Sequence, residues 1–359
     1  SNPNLLGIII SHPHADHYGL VGFAHSSIPV YIGAEASRML KAAMNFGSFG
    51  AEFEIAKHYR HRETFEIGPF RITPYLADHS AFDAYSFLIE ADGKRVFYSG
   101  DLRGHGWKSK IFEELLNNPP SNIDALMLEG TTLGRDESEP IVSELELVEQ
   151  IKAALSQTKG IALAGFSGQN IDRLVTFYKA ALSSNRICVI DLYIAQLLQA
   201  IGRDSLPSPS SNLRVFLPKR MKSKIMREKN FDLVKPFYPH RIYPDEIAER
   251  QNEIVMSFRS SMMVDLEQAD CLKGARLIYS MWHGYIDQQK PNLRDWCNSH
   301  EVDFQIIHTS GHASKHDLNR MVKAINAKTV IPIHTLAHAS YHEFGYPVQI
   351  LDNNVASVL

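Results

Sequence analysis

The sequence predicts an α/β protein of two domains, one inserted into the other. The chain has 359 residues, of which 44% are hydrophobic and 21% charged, as in an ordinary globular protein. From about residue 5 to 135, short β-like runs alternate with helical stretches. From 139 to about 300, a strand–helix–strand–helix rhythm predicts a parallel sheet covered by helices. No apolar run approaches the ~20 residues of a membrane span.

Local patterns set approximate bounds for the elements. In the first region the predicted elements are a strand at 5–10, a helix at 36–46, a strand at 70–75, hairpin strands at 85–89 and 96–98, and a helix at 111–116. In the second region they are an amphipathic helix at 143–154, strands at 161–164, 187–190, 253–258 and 275–279, and helices at 171–182 and 194–201. The buried side of the first of these helices is expected to include Leu145, Leu147, Val148 and Ile151. The chain is expected to rejoin the first region through the strand-like run 304–307.

The most informative motif is His12-Pro13-His14-Ala15-Asp16-His17, which spells H-x-H-x-D-H directly after the apolar run at 5–10. Imidazole nitrogens and carboxylate oxygens are the ligands that borderline divalent metals such as zinc prefer. The four ligand-type side chains of so short a run cannot all bind the same ion. The motif therefore favours two ions that share a loop. A polar loop that is His-rich by chance is the plainer alternative.

Three further ligand-type residues lie at the ends of strand-like runs elsewhere in the chain. They are His79, which follows 70–75, Asp101, which follows 95–100, and His334, which follows 329–333. Strand ends are rigid positions where polar side chains can be mounted without entering a core. Each residue alone is more typical of a structural role, but together with the first motif they indicate a metal centre.

This pattern resembles the metallo-β-lactamase superfamily, in which the same loop, a later His, a later Asp and a last His build a two-metal centre. The resemblance implies an αββα sandwich. The ligand sets it implies are His12, His14 and His79 for one ion, and Asp16, His17 and His334 for the other, with Asp101 bridging. Two ions about 3.5–4 Å apart can hold a shared hydroxide and stabilise the attacking and leaving oxygens. The expected chemistry is therefore hydrolysis of a phosphodiester or an acyl bond, with zinc as the expected metal and manganese as the alternative.

Two later segments resemble motifs A and B of the β-CASP nucleases, the nucleic-acid-processing branch of this superfamily. The buried-strand run 124–134 carries the acid Glu129, and the run 308–314 carries His312. His334 matches motif C, where a His resembles the RNA-processing members and DNA-repair members typically carry Val. The resemblance spans nearly the whole chain.

The same resemblance implies a metallo-β-lactamase domain interrupted by an inserted α/β β-CASP cap domain. The expected domains are 1–138 for the first part of the metallo-β-lactamase domain, 139–300 for the inserted domain and 301–359 for the second part. In such folds the H-x-H-x-D-H loop usually follows several strands, whereas only eleven residues precede His12. We therefore expect an N-terminal segment that this sequence does not include.

The residues of these motifs indicate roles in phosphodiester cleavage. A His with an acid bound to its far nitrogen is a suitable proton donor for a leaving group, which fits His312 with Glu129. Alternatively, His312 binds a non-bridging phosphate oxygen. With Asp16 and Asp101, this pair completes the expected catalytic set.

Phosphate contacts are expected from hydroxyls and backbone amides near His312 and in a turn that is similar to one in ribonuclease J-type enzymes. The expected residues are Ser310 and Gly311 beside His312, and Ser167 and Asn170 in the turn at 165–173. An ordinary helix N-cap is an equally good interpretation of that turn, and both interpretations can hold together.

Charge and cysteine content bear on partners and compartment. The net charge of −3 is not that of a general nucleic-acid binder, which is the main evidence against a nuclease. The segment 218–229 is strongly basic and either attracts a phosphate backbone by counterion release or is a solvated helix face. Cys188, Cys271 and Cys297 show no C-x-x-C spacing, which favours a reducing compartment such as the cytoplasm.

Taken together, these features predict a metal-dependent ribonuclease that hydrolyses single-stranded RNA and has no membrane partner. The rivals are a DNA nuclease of the same branch, a small-molecule esterase or lactonase of the superfamily, and a non-catalytic RNA-binding scaffold. The long insertion and the Glu129–His312 pair argue against the esterase, and His334 argues against the DNA nuclease only by analogy. All seven ligand positions are present, which argues against the scaffold. Assembly into a homo-oligomer is left open.

Overall fold

The computed structural model describes residues 5–47, 50–135, 141–288, 292–352, 355 and 357–358. The chain divides into two compact units, neither of which is continuous in sequence. The first unit comprises Ser1–Lys41, Ala51–Ile141 and Ser310–Leu359, and the second comprises Ala42–Gly50 and Val142–Thr309. The domain boundaries expected at 138/139 and 300/301 stay predictions beside these bounds.

The strands and helices are numbered in chain order. The strands are β1 (Ile8–Ile10), β2 (Val30–Gly33), β3 (Ile55–Tyr59), β4 (Phe65–Ile67), β5 (Phe70–Leu76), β6 (Tyr85–Ala91), β7 (Lys94–Tyr98), β8 (Ala125–Glu129), β9 (Ala162–Gly165), β10 (Ile187–Asp191), β11 (Leu213–Phe216), β12 (Arg241–Ile242), β13 (Ile254–Phe258), β14 (Arg276–Tyr279), β15 (Asp303–Ile306) and β16 (Thr329–Ile333). The α-helices are α1 (Ala15–Tyr18), α2 (Ala34–Ala43), α3 (Ser109–Asn117), α4 (Glu144–Gln157), α5 (Ile171–Ser183), α6 (Leu192–Ile201), α7 (Lys219–Glu228), α8 (Pro244–Glu249), α9 (Met263–Gln268), α10 (Leu293–Ser299) and α11 (Lys315–Ile325). Short 3-10 helices occupy several of the loops.

The first unit places two sheets between two sets of helices. A small parallel sheet has the order β1-β2-β3, and a mixed sheet has the order β16-β8-β7-β6-β5-β4. Tyr59 and Phe87 belong to the apolar core between the two sheets. Because side chains alternate across a strand, other strand residues face outward, where Ile32 packs against α2 and Leu126 packs with Leu318 of α11. This αββα layering confirms the fold class expected from the sequence.

The second unit is built on a parallel sheet in the order β12-β11-β10-β13-β9-β14-β15. Every residue of β9 and of β13 is buried, as expected for a parallel sheet covered on both faces. The helices begin at polar caps: Ser143 and Glu146 form a capping box at α4, and the side chains of Asn170 and Asp191 accept N–H groups at α5 and α6. The strand–helix rhythm predicted for this part of the chain is confirmed.

Two expectations about the second unit are wrong. Leu145 is 63% exposed, because the buried side of α4 runs through Leu147 and Ile151 and the inward position beside them is taken by Glu144, which is 1% exposed. A hydrophobicity pattern cannot predict that Glu144 is buried, because an acidic residue is assigned to the exposed side of a helix. The second error concerns the run 304–307, because β15 pairs with β14 inside the second unit, and the return to the first unit comes later, at Ser310.

A membrane-spanning helix was not expected from the sequence. Among the described residues, no helix combines the length and the apolar character that crossing a bilayer requires.

Candidate metal centre

The side chains expected to bind metal follow the carboxyl ends of strands in the first unit. β1 leads into the loop with His12 and His14, β5 leads to His79, β7 leads to Asp101, and β16 leads to His334. β7, β8 and β16 are parallel neighbours, so their carboxyl ends share one edge of the mixed sheet. The fold thus delivers ligand-type side chains from distant parts of the sequence to one place.

Ligand-type atoms gather there into overlapping groups. Within each group the atoms lie within 4.8 Å of one another, and the groups are His12–His14–His79, His12–His17–Asp101, Asp16–His17–His334 and Asp101–Glu129–His312–His334. All seven residues expected to bind metal are members, together with the expected pair of Glu129 and His312. The structure brings these side chains together, and the assignment of an ion to each group stays a prediction.

Asp101 lies at the middle of this constellation and is 2% exposed. Its Oδ2 atom is 3.1 Å from Nε2 of His17 and 3.5 Å from Nε2 of His12. Its Oδ1 atom is 3.5 Å from Nδ1 of His334. One carboxylate therefore approaches imidazoles from both ends of the chain.

Several buried polar atoms of the centre make no hydrogen bond within the described residues. They include Nε2 of His12, Nε2 of His17 and Oδ2 of Asp101. Buried polar atoms are almost always hydrogen-bonded in folded proteins, and these three face one another. A divalent cation would satisfy them together. The mixture of imidazole nitrogen and carboxylate oxygen is also a donor set that zinc binds, so the residues present fit a metal site.

Burial favours the neutral imidazoles that metal binding requires. It is the largest influence on three of the ligands, lowering the pKa of His12 and of His79 well below the usual value and the pKa of His14 to about 4. At the other group, the hydrogen bond with Asp16 raises the pKa of His334 to about 8 and lowers the pKa of the Asp16 carboxyl. The first group is therefore in the metal-binding form at neutral pH, whereas a cation at His334 competes with a proton.

The backbone is restricted beside two of the ligands. Gly100, which precedes Asp101, has a φ of +57°, and a Cβ there would lie 2.6 Å from the carbonyl oxygen of Tyr85. Only glycine fits such a position without strain. His334 itself has a φ of +49°, which is uncommon outside glycine. The hydroxyl of Thr131, 2.7 Å from Nδ1 of His334, helps to fix that ring.

His312 and Glu129 form a pair at the edge of the centre. Nδ1 of His312 is 3.3 Å from Oε1 of Glu129 and 3.7 Å from Oδ2 of Asp101. Glu129 is fully buried and accepts hydrogen bonds from the backbone N–H groups of Leu102 and Thr131. Burial opposes protonation of His312, but the two carboxylates outweigh it and raise the pKa of His312. Glu129 is thus held in place by the backbone and in turn orients the His312 ring.

Sequence reasoning missed a buried ion pair that links two parts of the site. Arg103 and Asp78 are both fully buried, with Nε of Arg103 3.7 Å from Oδ1 of Asp78. Nη1 of Arg103 donates a hydrogen bond of 3.1 Å to the backbone carbonyl of Ser310. Asp78 immediately precedes His79, and Ser310 lies two residues before His312. The one available signal was the position of both residues beside ligand motifs, which does not identify a partner.

The residues expected to bind phosphate divide between the two units. Ser310 and Gly311 lie beside His312 in the first unit, where Oγ of Ser310 accepts the N–H of His312 at 3.1 Å. Ser167 and Asn170 lie in the loop between β9 and α5 of the second unit. The side chain of Asn170 caps α5, which confirms the N-cap interpretation of that turn. Phosphate binding at these residues stays a prediction.

Two protein-family models match this chain, one in its first half and one near its C-terminal end. A family model described as "Beta-lactamase superfamily domain" matches residues 1–163. A second model, described as "Zn-dependent metallo-hydrolase RNA specificity domain", matches residues 301–343. The second match contains His312 and His334, and the other residues of the centre lie within the first.

Individual relatives match over most of the chain at low identity. Ribonuclease J of Sinorhizobium meliloti is 22% identical over 344 residues, a match that covers 92% of this chain and 58% of the relative. Ribonuclease J of Helicobacter pylori is 20% identical over 360 residues and is covered to 47% of its length. The chain therefore spans about half the length of the curated relatives it matches.

A solved structure shares the fold of this chain. The crystal structure of a protein of unknown function from Enterococcus faecalis V583 matches with a TM-score of 0.76 at 22% identity. The match covers 97% of this chain and 79% of the other. At this identity the likeness concerns the fold alone.

The layered fold, the converging ligands and the family matches define a metallo-hydrolase of the metallo-β-lactamase superfamily. Within that superfamily, the chain is similar over most of its length to proteins named ribonuclease J, at 20–22% identity. The resemblance found in the sequence is thereby confirmed.

Proposed function

We propose that this protein is a metal-dependent ribonuclease that hydrolyses single-stranded RNA at a centre of two divalent ions. The observation that carries the proposal is the convergence of seven ligand-type side chains beside the His312–Glu129 pair. Zinc is the proposed metal, because imidazole and carboxylate ligands suit it and the matched family model is described as zinc-dependent. Manganese is the alternative.

The ligands are proposed to divide into two sets that share Asp101. The proposed sets are His12, His14 and His79 for one ion, and Asp16, His17 and His334 for the other. Each set coincides with a group whose atoms lie within 4.8 Å of one another. Asp101 is the proposed bridging ligand, because its two oxygens approach imidazoles of both sets.

When bound, the two ions would lower the pKa of a shared water and neutralise charge on the scissile phosphate. The chain itself supplies orientation and a proton. His312 is proposed either to protonate the leaving oxygen or to hydrogen-bond a non-bridging phosphate oxygen. Both roles need a ring in a fixed orientation, which Glu129 provides through Nδ1 of His312. Asp16 and Asp101 contribute as ionised ligands, because the hydrogen bond with His334 lowers the pKa of the Asp16 carboxyl. Burial opposes ionisation of Asp101, but the adjacent imidazoles of His17 and His12 outweigh it and lower the pKa of the Asp101 carboxyl.

Phosphate contacts beside the centre are proposed for the loop that carries His312. Ser310 supplies a hydroxyl there and Gly311 a backbone amide. A Cβ at Gly311 would lie 2.5 Å from Oγ of Ser80, so a side chain at that position would require Ser80 to move. Ser167 and Asn170 are proposed to contact phosphate from the second unit, which we propose as the inserted β-CASP domain over 139–300.

RNA is proposed as the substrate on the strength of the comparisons. The family model that matches residues 301–343 is described as an RNA specificity domain. The curated relatives from two organisms are both named ribonuclease J. His at position 334 also resembles the RNA-processing members of the β-CASP branch. A cytoplasmic location accompanies this proposal.

A side-by-side hydrolysis assay tests the proposal. The substrates are labelled single-stranded RNA, an RNA duplex, DNA of matched sequence and a chromogenic ester, each with zinc-loaded protein. We expect single-stranded RNA to be cut fastest and Asp101→Asn to be inactive on it. Asp232→Asn, at a side chain that is 85% exposed, controls for loss of a carboxylate elsewhere. Equal cleavage of DNA would overturn the preference for RNA, and turnover of the ester alone would overturn the nuclease assignment.

A further inference from the structure

Helix α7 presents a strongly basic surface in a chain whose net charge is −3. The segment 219–229 contains six lysine or arginine residues and a single acid, Glu228. Five of these cationic side chains are exposed and define the basic face of α7: Lys219, Arg220, Lys222, Arg227 and Lys229. Positive charge is therefore concentrated on one short stretch of the second unit.

The opposite side of α7 is anchored to the second unit. Ile225 is 5% exposed, and Nζ of Lys224 donates a hydrogen bond of 2.5 Å to the carbonyl of Asn45. At the start of the helix, the N–H of Lys219 donates to the carboxylate of Asp265 at 2.9 Å. These contacts fix the rotation of the helix about its axis, so the basic face is directed away from the core.

The cations of this face lie in two rows on the exposed side of the helix. At 3.6 residues per turn, Arg220 and Arg227 follow one edge of that side and Lys222 lies near the other edge. Lys229 comes directly after the last helical residue, with a φ of +55°. At a rise of about 1.5 Å per residue, the span from Lys219 to Lys229 is about 15 Å. That length is enough to meet several consecutive phosphates of an extended strand.

Most of these charges are not neutralised within the part of the chain that the structure describes. The side chains of Lys219, Arg220, Lys222 and Lys229 make no ion pair there. Glu228 lies 3.2 Å from Arg227. Like charges that lie close together on a helix repel one another, so these unneutralised side chains favour an anionic partner.

We propose that the basic face of α7 binds the phosphate backbone of RNA outside the metal centre. This inference rests on the proposed ribonuclease function, which supplies the polyanion. A membrane-surface helix would need an apolar face turned toward lipid. In α7 Ile225 is buried, Met221 is half-buried and Met226 is 58% exposed, so little apolar surface remains for insertion. The face contacts backbone phosphates and adds affinity without base specificity.

The test measures RNA affinity against salt concentration. Zinc-loaded protein is titrated into a fluorescent single-stranded RNA with phosphorothioate linkages that resist cleavage, and anisotropy reports binding. The variant is Arg220→Glu/Lys222→Glu, which reverses two exposed charges of the face. We expect binding about tenfold weaker at low salt, and a salt slope shallower by roughly 1 to 1.5, because each lost phosphate contact removes about 0.7 of slope on a single strand.

A matched control makes the result specific. Lys159→Glu/Lys273→Glu makes the same change in net charge at two exposed lysines of the same unit. Weakening confined to the α7 variant supports the inference. If both variants weaken RNA binding equally, or neither does while the parent still binds and cuts RNA, the inference is overturned and the proposed function stands. A parent that neither binds nor cuts RNA overturns both.

A vesicle-binding assay tests the alternative partner, an anionic membrane surface. Vesicles of phosphatidylserine and phosphatidylcholine are assayed with the same pair of variants. We expect no α7-dependent vesicle binding. Binding that α7 reversal removes, with RNA affinity unchanged, would overturn the inference in favour of an anionic membrane surface.

Discussion

Each unit of this protein buries a polar cluster, and the two clusters differ in how completely their atoms are hydrogen-bonded. In the first unit, atoms of His12, His17 and Asp101 face one another without a hydrogen bond among the described residues. In the second unit, Arg173 and Glu144 are fully buried and meet through two N–H donors at 3.1 and 3.2 Å. A cation would satisfy the first cluster, whereas the second is already fully paired.

The contacts around Arg173 show what completeness means. Its remaining donors reach the carbonyl of Ser280 at 2.8 Å and the carbonyl of Thr309 at 3.1 Å. The hydroxyl of Thr176 donates to Glu144 at 2.6 Å. A network whose polar atoms are all hydrogen-bonded stabilises a fold but leaves no donor or acceptor to bind a ligand. Unsatisfied buried polar atoms are therefore the better guide to a functional site than burial or charge alone.

This comparison predicts that substitutions in the two clusters have opposite consequences. Asp101→Asn should lower RNA hydrolysis about 10³-fold or more, because charge stabilisation by metal is worth several kcal/mol. Circular dichroism and the thermal midpoint should stay close to those of the parent, since Asn has nearly the same shape as Asp. Near-normal turnover, with Asp232→Asn as the control, would refute the placement of Asp101 at the reaction centre.

Arg173→Leu should instead lower the stability of the second unit. It leaves Glu144 buried without its partner, which typically costs about 3–5 kcal/mol of unfolding free energy. Denaturant unfolding measures this loss, and Arg220→Leu, at an exposed arginine of the same unit, should change it by less than about 0.5 kcal/mol. A loss below 1 kcal/mol at Arg173 would show that the network is not what holds this part of the fold.

His312→Ala should lower the rate by ~10²–10⁴-fold while metal remains bound. The control is His316→Ala, at an exposed histidine of α11. Partial recovery on substrates with a better leaving group would identify His312 as the proton donor, and its absence would favour phosphate binding. Loss of metal from the variant would mean that His312 is a ligand, contrary to its proposed role.

Arg103→Lys should have the smallest of these effects. Lysine cannot pair with Asp78 and also reach the carbonyl of Ser310 as the guanidinium does. We expect a loss of about 10–100-fold in metal affinity or in kcat, typical of groups that orient ligands without binding the metal. Arg71→Lys, at a side chain that is 62% exposed, is the control. A change confined to KM would contradict a role in positioning the metal ligands.

The sequence predicted the ligand-type residues of the site better than the residues that hold them in position. His79, Asp101 and His334 could be identified because ligand-type residues at strand ends meet at one edge of a sheet. The contact between Thr131 and His334 spans 203 positions, and that between Arg103 and Ser310 spans 207. Neither pair has a characteristic spacing, so long-range supports of this kind appear only once the chain is folded.

The fold was predictable for a similar reason. Regular strand and helix periods predicted the alternating elements and the parallel sheet, because many residues contribute to each pattern, and the resemblance to the metallo-β-lactamase superfamily implied the αββα layers. The two wrong predictions, the burial of Leu145 and the sheet joined by the run 304–307, each depended on a few particular residues. Glu144 is a buried acid on an otherwise apolar helix face. β15, with Ile306 43% exposed, carries no sign of which sheet it joins. Sequence patterns record burial on average, whereas these choices depend on particular partners.

The metal content of the purified protein is the most direct test of a two-ion centre that depends on Asp101. Elemental analysis of the parent, Asp101→Asn and Asp232→Asn, each dialysed against the same zinc buffer, gives ions per chain. We expect about two ions for the parent and for Asp232→Asn, as in other two-metal hydrolytic sites, and fewer for Asp101→Asn. No ion bound to the parent, or the same metal content in the parent and in Asp101→Asn, would contradict the proposed two-ion centre.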